Sequence, residues 1–293
     1  MSDRGAVFDL GYKPHEGPRL GRGAAIRATV KDGVRRVLGL RRNFRKKIFP
    51  WILFAIALLP AVVFVGLVFF TSQLAGADII DTPFANHATY FDLASVSVLL
   101  FSALAGPELL IPDRAEGVLG VYASRPLTGG DYLAARAGAL SIVLLGFMLI
   151  PQLLLYFGFA ALEPGGFVSN LGSSAAEIPR FLGAAVGYLA GYGAPALLVA
   201  AMVKRTTVAS GIYVAAMFVL EGAAAGLVES GSSAAGVLAL VEHPAAIRDA
   251  IYDQRSDLVV HQAGFDVWVS VAVVVVLVML AAVVSVRRYR RLM

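Results

Sequence analysis

The sequence predicts an all-α integral membrane protein with six transmembrane helices, and three observations carry that prediction. Hydrophobic residues make up 58% of the 293 and charged residues only 15%, with a mean hydropathy of +0.75. Soluble chains carry roughly a quarter charged residues. Six apolar runs each reach the length of about 20 residues that a helix needs to cross a bilayer. Finally, 22 of the 25 Lys and Arg residues fall on one side of a six-span arrangement, which is the asymmetry of the positive-inside rule. The net charge of +5 therefore follows membrane topology and does not point to nucleic acid. The absence of cysteine excludes disulfides, thiolate nucleophiles and Cys-ligated metal.

In chain order, residues 1–47 are polar and basic, too polar for a signal peptide, and are expected to form a cytoplasmic N-terminal segment. Within it, GVRRVLGLRRNFRKKIF (33–49) places Val34, Val37, Leu38, Phe44 and Ile48 near one helical face, interrupted by Arg41. That suits an amphipathic helix lying at the inner leaflet, where basic side chains meet anionic lipid, and equally an ordinary positive-inside flank of the first span. The first span covers 48–72 and the second 91–111. Pro112 disfavours helix at Ile111, so the second span should end or bend there.

Residues 113–124 then read as a new helix of about three turns between the second and third spans. Asp113 and Glu116 suit the positive end of its dipole. Val118, Leu119, Val121 and Tyr122 form an apolar stripe, and Arg125-Pro126 ends the element. A plain loop needs no such stripe; a helix of this kind inserts into another protein's cleft or lies on the bilayer.

The third span covers 132–162, and the fourth, 178–203, meets the fifth, 206–228, across only Lys204 and Arg205. Gly183, Gly187 and Gly191 recur every fourth residue in the fourth span, as do Gly222 and Gly226 in the fifth. Small residues so spaced let helices approach closely. In the outer segment that follows, VLALVEHPAAIRDAIYD (237–253) reads as two short helical pieces broken at Pro244. Neither is long enough to span, so a dip into the membrane or a cap on the bundle is expected. The sixth span covers 265–286, completing a transmembrane domain of 48–286, and 287–293 form a basic tail. The charge asymmetry places both termini in the cytoplasm.

With these elements in place, the chain resembles the type-2 ABC transporter export permeases, within them the branch associated with multicopper-enzyme maturation. The resemblance runs from about residue 45 to the C-terminus. It rests on the six-span layout, on PDRAEGVLGVYASRPLTGGDYLAAR after the second span, on EHPAAIRD in the split outer helix, and on the basic tail. The N-terminal 45 residues are longer than the family pattern. In that family the segment after the second span docks on an ATP-binding subunit and carries acidic-Arg-x-x-Gly followed by Arg-Pro-Leu. Here Asp113, Arg114, Glu116, Gly117, Arg125, Pro126 and Leu127 match it.

The resemblance implies a permease half that pairs with a second half, identical or not, in the plasma membrane of a prokaryote. ATP and Mg would be held by the partner ATP-binding subunit, with no cofactor in this chain. Consistent with that division, no G-x-x-x-x-G-K-[ST] occurs, and none of the five lysines precedes Ser or Thr. The docking residues are then expected to be Asp113, Arg114, Glu116, Gly117, Arg125 and Pro126 from the motif, with Leu119 and Tyr122 from the apolar stripe.

Two acids are candidates for a pathway. Glu221 lies inside the fifth span, where a carboxylate faces either a cavity or the outer interface. Glu108 is expected near the cytoplasmic mouth, beside the docking element. His87, His243 and His261 fall on the outer side without ligand-like spacing, so no metal site is expected. The alternatives are a membrane-embedded enzyme and a secondary transporter. The first lacks a Ser-His pairing, H-E-x-x-H or paired-acid motif in its spans. The second commonly shows repeated halves and midplane charges. The chain is accordingly expected not to be an enzyme itself.

Overall fold

The computed structural model describes residues 21–40, 44–75, 85–123 and 126–290. Residues 1–20, Arg41, Asp78, Asp81, Ser124, Arg125 and Arg291 lie outside the described residues, as does the side chain of Phe44. Every regular element among the described residues is helical. Six helices are long and apolar enough to cross a membrane, at 47–73, 87–115, 129–162, 177–202, 206–229 and 267–289. The chain is an all-α, six-span membrane protein.

Side-chain caps open three of the six spans. Asn86 accepts the Thr89 amide at 2.8 Å and opens α3 (His87–Ala115), the second span; α2 (Phe44–Ala75) contains the first. At α5 (Gly129–Leu162), Thr128 and Asp131 form a reciprocal capping box, with the Asp131 amide donating to Thr128 Oγ1 at 3.2 Å and the Thr128 amide to Asp131 Oδ2 at 2.9 Å. Asp266 accepts the Trp268 amide at 3.0 Å to start α12 (Val267–Tyr289).

The second span does not end at Ile111. It runs through Pro107 and Pro112 to Ala115, as membrane helices can when neighbours re-satisfy the backbone. Residues 113–115 are held helical by tertiary bonds that the local Pro preference cannot anticipate. Glu116 caps this helix and Gly117 turns left-handed, with φ +69°. The three-turn helix expected over 113–124 is therefore reduced to α4 (Leu119–Ala123).

The N-terminal amphipathic helix is likewise displaced. It is α1 (Arg22–Val37), followed by a turn, not a helix over 33–49. Its buried residues are Thr29, Gly33 and Val37. At Gly33 an added Cβ would stand 2.6 Å from Ala139 Cβ, so α1 packs against the third span and part of its apolar face is covered by protein. Ile48 and Phe49 do remain exposed at the start of the first span.

The fourth span is not one regular helix. α7 (Glu177–Tyr188) passes through a wide π-turn, Leu189–Gly193, into α8 (Ala194–Met202). The buried Tyr213 hydroxyl of α9 (Thr206–Glu229) donates to the Tyr192 carbonyl at 3.1 Å there. Such insertions let a helix absorb a change of direction.

Beyond the fifth span, a 3₁₀ turn (Ser233–Leu238), α10 (His243–Ile251) and α11 (Val259–Gln262) close one end of the bundle. Pro244 stands in the first turn of α10 and not at a break within it. The Gly183, Gly187 and Gly191 stripe receives this helix: Cβ atoms added there would meet Ile251, Ile247 and Pro244, the last at 2.3 Å. Gly222 and Gly226 have nothing within 4 Å of such an atom; they pack no helix among the described residues. A final short helix, α6 (Phe167–Ser173), links the third and fourth spans.

Candidate coupling site at the basic end

The end of the bundle that carries α1, α4, the turn at 203–205 and the end of α12 holds most of the described basic residues. Asp113 is its hub. The side chain is 2% exposed, and Oδ1 accepts Arg36 Nη1 at 2.7 Å. Oδ2 accepts Arg136 Nη2 at 2.5 Å and the Tyr132 hydroxyl at 2.8 Å. Arg136, fully buried, also donates to Asp32 at 3.0 Å and to the Tyr122 hydroxyl oxygen at 3.2 Å. Two aromatic faces flank it, Tyr132 at 5.3 Å and Tyr122 at 6.0 Å from its Cζ.

Such a cluster is viable in a low-dielectric setting only because its acids and bases are interleaved. Burial, and next the Asp113 charge, push the Tyr122 phenol above its ordinary pKa, so it stays neutral. For Arg36 burial works against the charge, but the hydrogen bond and charge of Asp113, with Asp32, outweigh it and raise the pKa.

The aromatic stack continues outward. Tyr122 lies 5.4 Å from Tyr132, which stacks on Tyr289 at 5.7 Å, and the Tyr289 hydroxyl donates to the Leu110 carbonyl at 2.8 Å. Arg114 reaches the other way, donating to the carbonyls of Ala201 at 2.8 Å and Ala200 at 3.2 Å, and to that of Val203. It thereby caps the end of the fourth span, where a cation opposes the helix dipole. Side chains from α1, α3, α4, α5 and α12 and carbonyls at the end of α8 thus meet in one network.

The docking residues expected from sequence separate into two groups. Asp113, Arg114, Leu119 and Tyr122 turn into this chain. Leu119 is 4% exposed, in a cluster with Leu110, Ile111, Tyr132, Ala200 and Tyr289. The expectation that Leu119 and Tyr122 present an outward stripe is corrected: the helix is too short to carry a free apolar face, and both side chains fill the hollow between span ends. Glu116, Gly117 and Pro126 are exposed, together with Gly120 and Val121. Arg125 lies outside the described residues.

Glu108 stands in a cavity of about 420 Å³ with Arg36, Phe49 and Ser210, between α1 and the first, second and fifth spans. Glu221 lies toward the opposite end, where Oε2 accepts the Val241 amide at 2.8 Å and ties the fifth span to the segment that precedes α10; its Oε1 is buried without a partner among the described residues. At that end Arg248, fully buried, donates to Asp92, Asp249, Ser256 and the Ala88 carbonyl. The histidines are distributed among separate partners. His87 meets Gln152 at 2.5 Å, His243 meets Ser270 at 3.0 Å and the Val237 carbonyl at 3.2 Å, and His261 meets the Ser256 carbonyl at 2.9 Å.

Sequence reasoning missed Asp32, Arg36, Arg136, Tyr132 and Tyr289. The one available signal was Arg136 and Tyr132 opening an apolar run, a placement that demands partners. Comparison with known proteins returned no matching family model and no matching curated protein.

Proposed function

We propose that the chain is the permease subunit of an ATP-driven ABC exporter, forming a translocation pathway with a second permease half, identical or not. In this reading it resides in the plasma membrane of a prokaryote, with the basic end and both termini in the cytoplasm. A separate ATP-binding subunit holds ATP and Mg and drives the cycle. One observation supports it above others. α4 stands between the second and third spans with Glu116, Gly120 and Val121 exposed on one side, while Leu119 and Tyr122 root it on the ends of the second, third and sixth spans. Closure of a partner against that exposed side would move a rigid lever joined to several helices, which is how a ligand bound elsewhere biases a two-state bundle.

Glu221, with one oxygen buried and unpartnered in the fifth span, favours a second reading, an ion-coupled secondary transporter without an ATPase. One experiment separates them. The purified chain alone should hydrolyse no ATP, whereas co-expression with its cognate ATP-binding subunit should yield a complex that does. Val121→Asp with Glu116→Arg should weaken that complex roughly tenfold or more while leaving membrane insertion intact. Hydrolysis by the isolated chain, or undiminished capture by the variant, would overturn the proposed coupling.

A further inference from the structure

A cavity of about 930 Å³ opens at the basic end where the second, fourth, fifth and sixth spans terminate. Five cations line it: Arg114 from the second span, Lys204 and Arg205 from the tight turn between the fourth and fifth, and Arg287 and Arg288 from the last turn of the sixth. Among the described residues no carboxylate lines it. Among the described residues no salt bridge neutralises Lys204, Arg205, Arg287 or Arg288. Arg114 differs from the other four, being fixed by its carbonyl bonds and by the Tyr289 ring 5.9 Å from its Cζ. It forms a rigid floor while the others stand exposed around the mouth.

Positive-inside topology accounts for the sign of these residues but not for their convergence. Three separate stretches of chain direct like charges at one hollow, an arrangement that repels itself unless an anion fills it. The remaining wall is apolar, formed by Ala115, Val284 and Met202, the last 59% exposed. A soluble anion has no use for that wall, whereas a lipid offers an acyl stem to it and a charged group to the cations. Met202 is the last residue of its helix and Arg287 and Arg288 lie near the end of theirs, which is headgroup depth. We propose that this cavity binds the phosphate of an anionic phospholipid. The site does not depend on coupling to an ATPase.

The full chain is reconstituted in vesicles of equal phosphatidylglycerol and phosphatidylcholine, extracted in mild detergent, and its retained lipid counted by mass spectrometry. The wild-type chain should retain phosphatidylglycerol preferentially. K204Q/R288Q should lose that preference by roughly tenfold to thirtyfold, at about one lipid-facing charge per substitution. K204R/R288K should restore it, and R27Q/R35Q, which removes two cations elsewhere at the same end, should leave it intact. Should the double variant fail to insert, Lys204→Gln alone should cost roughly fivefold. Equal retention by wild type and K204Q/R288Q, or an equal loss in R27Q/R35Q, overturns the proposal. Thermal protection by inorganic phosphate without phosphatidylglycerol enrichment reassigns the cavity to a soluble anion. Loss only of ATP-binding-subunit capture, with lipid retention unchanged, reassigns it to a protein surface. Either result also overturns the lipid assignment.

Discussion

Asp113 is the residue on which most depends, because it is the acid that both Arg36 and the fully buried Arg136 share. Asp113→Asn keeps the shape and removes the charge, leaving Arg136 with only the half-exposed Asp32 as a formal partner among the described residues. Breaking one side of a buried pair costs about 3–5 kcal/mol, so a marked fall in thermal stability of the purified chain is expected, measurable by unfolding in detergent. At the other end His243 predicts a pH dependence. Nε2 meets a carbonyl and must donate, so in the neutral ring Nδ1 accepts the Ser270 hydroxyl. Burial holds its pKa below the ordinary value of 6.5. The unfolded chain takes up that proton first as pH falls, so the stabilisation is present above about pH 6.5 and is lost below it, by up to about 1.4 kcal/mol per pH unit. Burial raises Glu242 above its ordinary 4.5, and it acts with the opposite sign, losing stabilisation as pH rises through that raised value. Melting of wild type against His243→Asn between pH 8 and 5 should therefore show the flatter slope in the variant (about those limits, set by the His window).

Among the elements, α10 shows how the glycine stripe is used. Gly191 leaves room for Pro244, and a methyl group there would stand 2.3 Å from its ring. Gly191→Ala should cost about 1–3 kcal/mol by overpacking and loosen α10, seen as faster labelling of a cysteine placed at Ile247. Gly222→Ala meets open space and should alter the stability of the single chain by no more than about 0.5 kcal/mol. The identical spacing in two spans thus has two different consequences. α4 makes a parallel point: Leu119→Ala empties a buried site and should cost about 2–5 kcal/mol within this chain, whatever binds outside it.

For the whole molecule, the two ends of the bundle differ in chemistry. One gathers cations and the network of Asp113; the other is closed by the 3₁₀ turn, α10 and α11 around Arg248 and Asp249. If the basic end is cytoplasmic, as proposed, Ser232→Cys and Glu116→Cys, introduced singly into this Cys-free chain, should label differently in intact cells. Position 232 should react with an impermeant thiol reagent and position 116 only after permeabilisation. The reverse pattern would invert the topology.

The six spans were legible in the sequence because the bilayer demands about 20 apolar residues of any helix that crosses it, a requirement written locally and read from composition alone. The asymmetry of Lys and Arg is local in the same sense. What the sequence could not determine is which surfaces those helices cover. Pro112 argues for a stop, yet the bonds of Asp113 and Arg114 to residues far along the chain keep the helix going to Ala115. Leu119 and Tyr122 form an apolar stripe in either case, and only the packed span ends decide that it faces inward. Gly191 and Gly222 carry the same spacing, and only the position of α10 distinguishes the filled groove from the open one. Insertion into the membrane is a property of each segment's own composition, whereas burial, pairing and cavity lining depend on residues brought together from separate segments, and so the tertiary structure alone decided them.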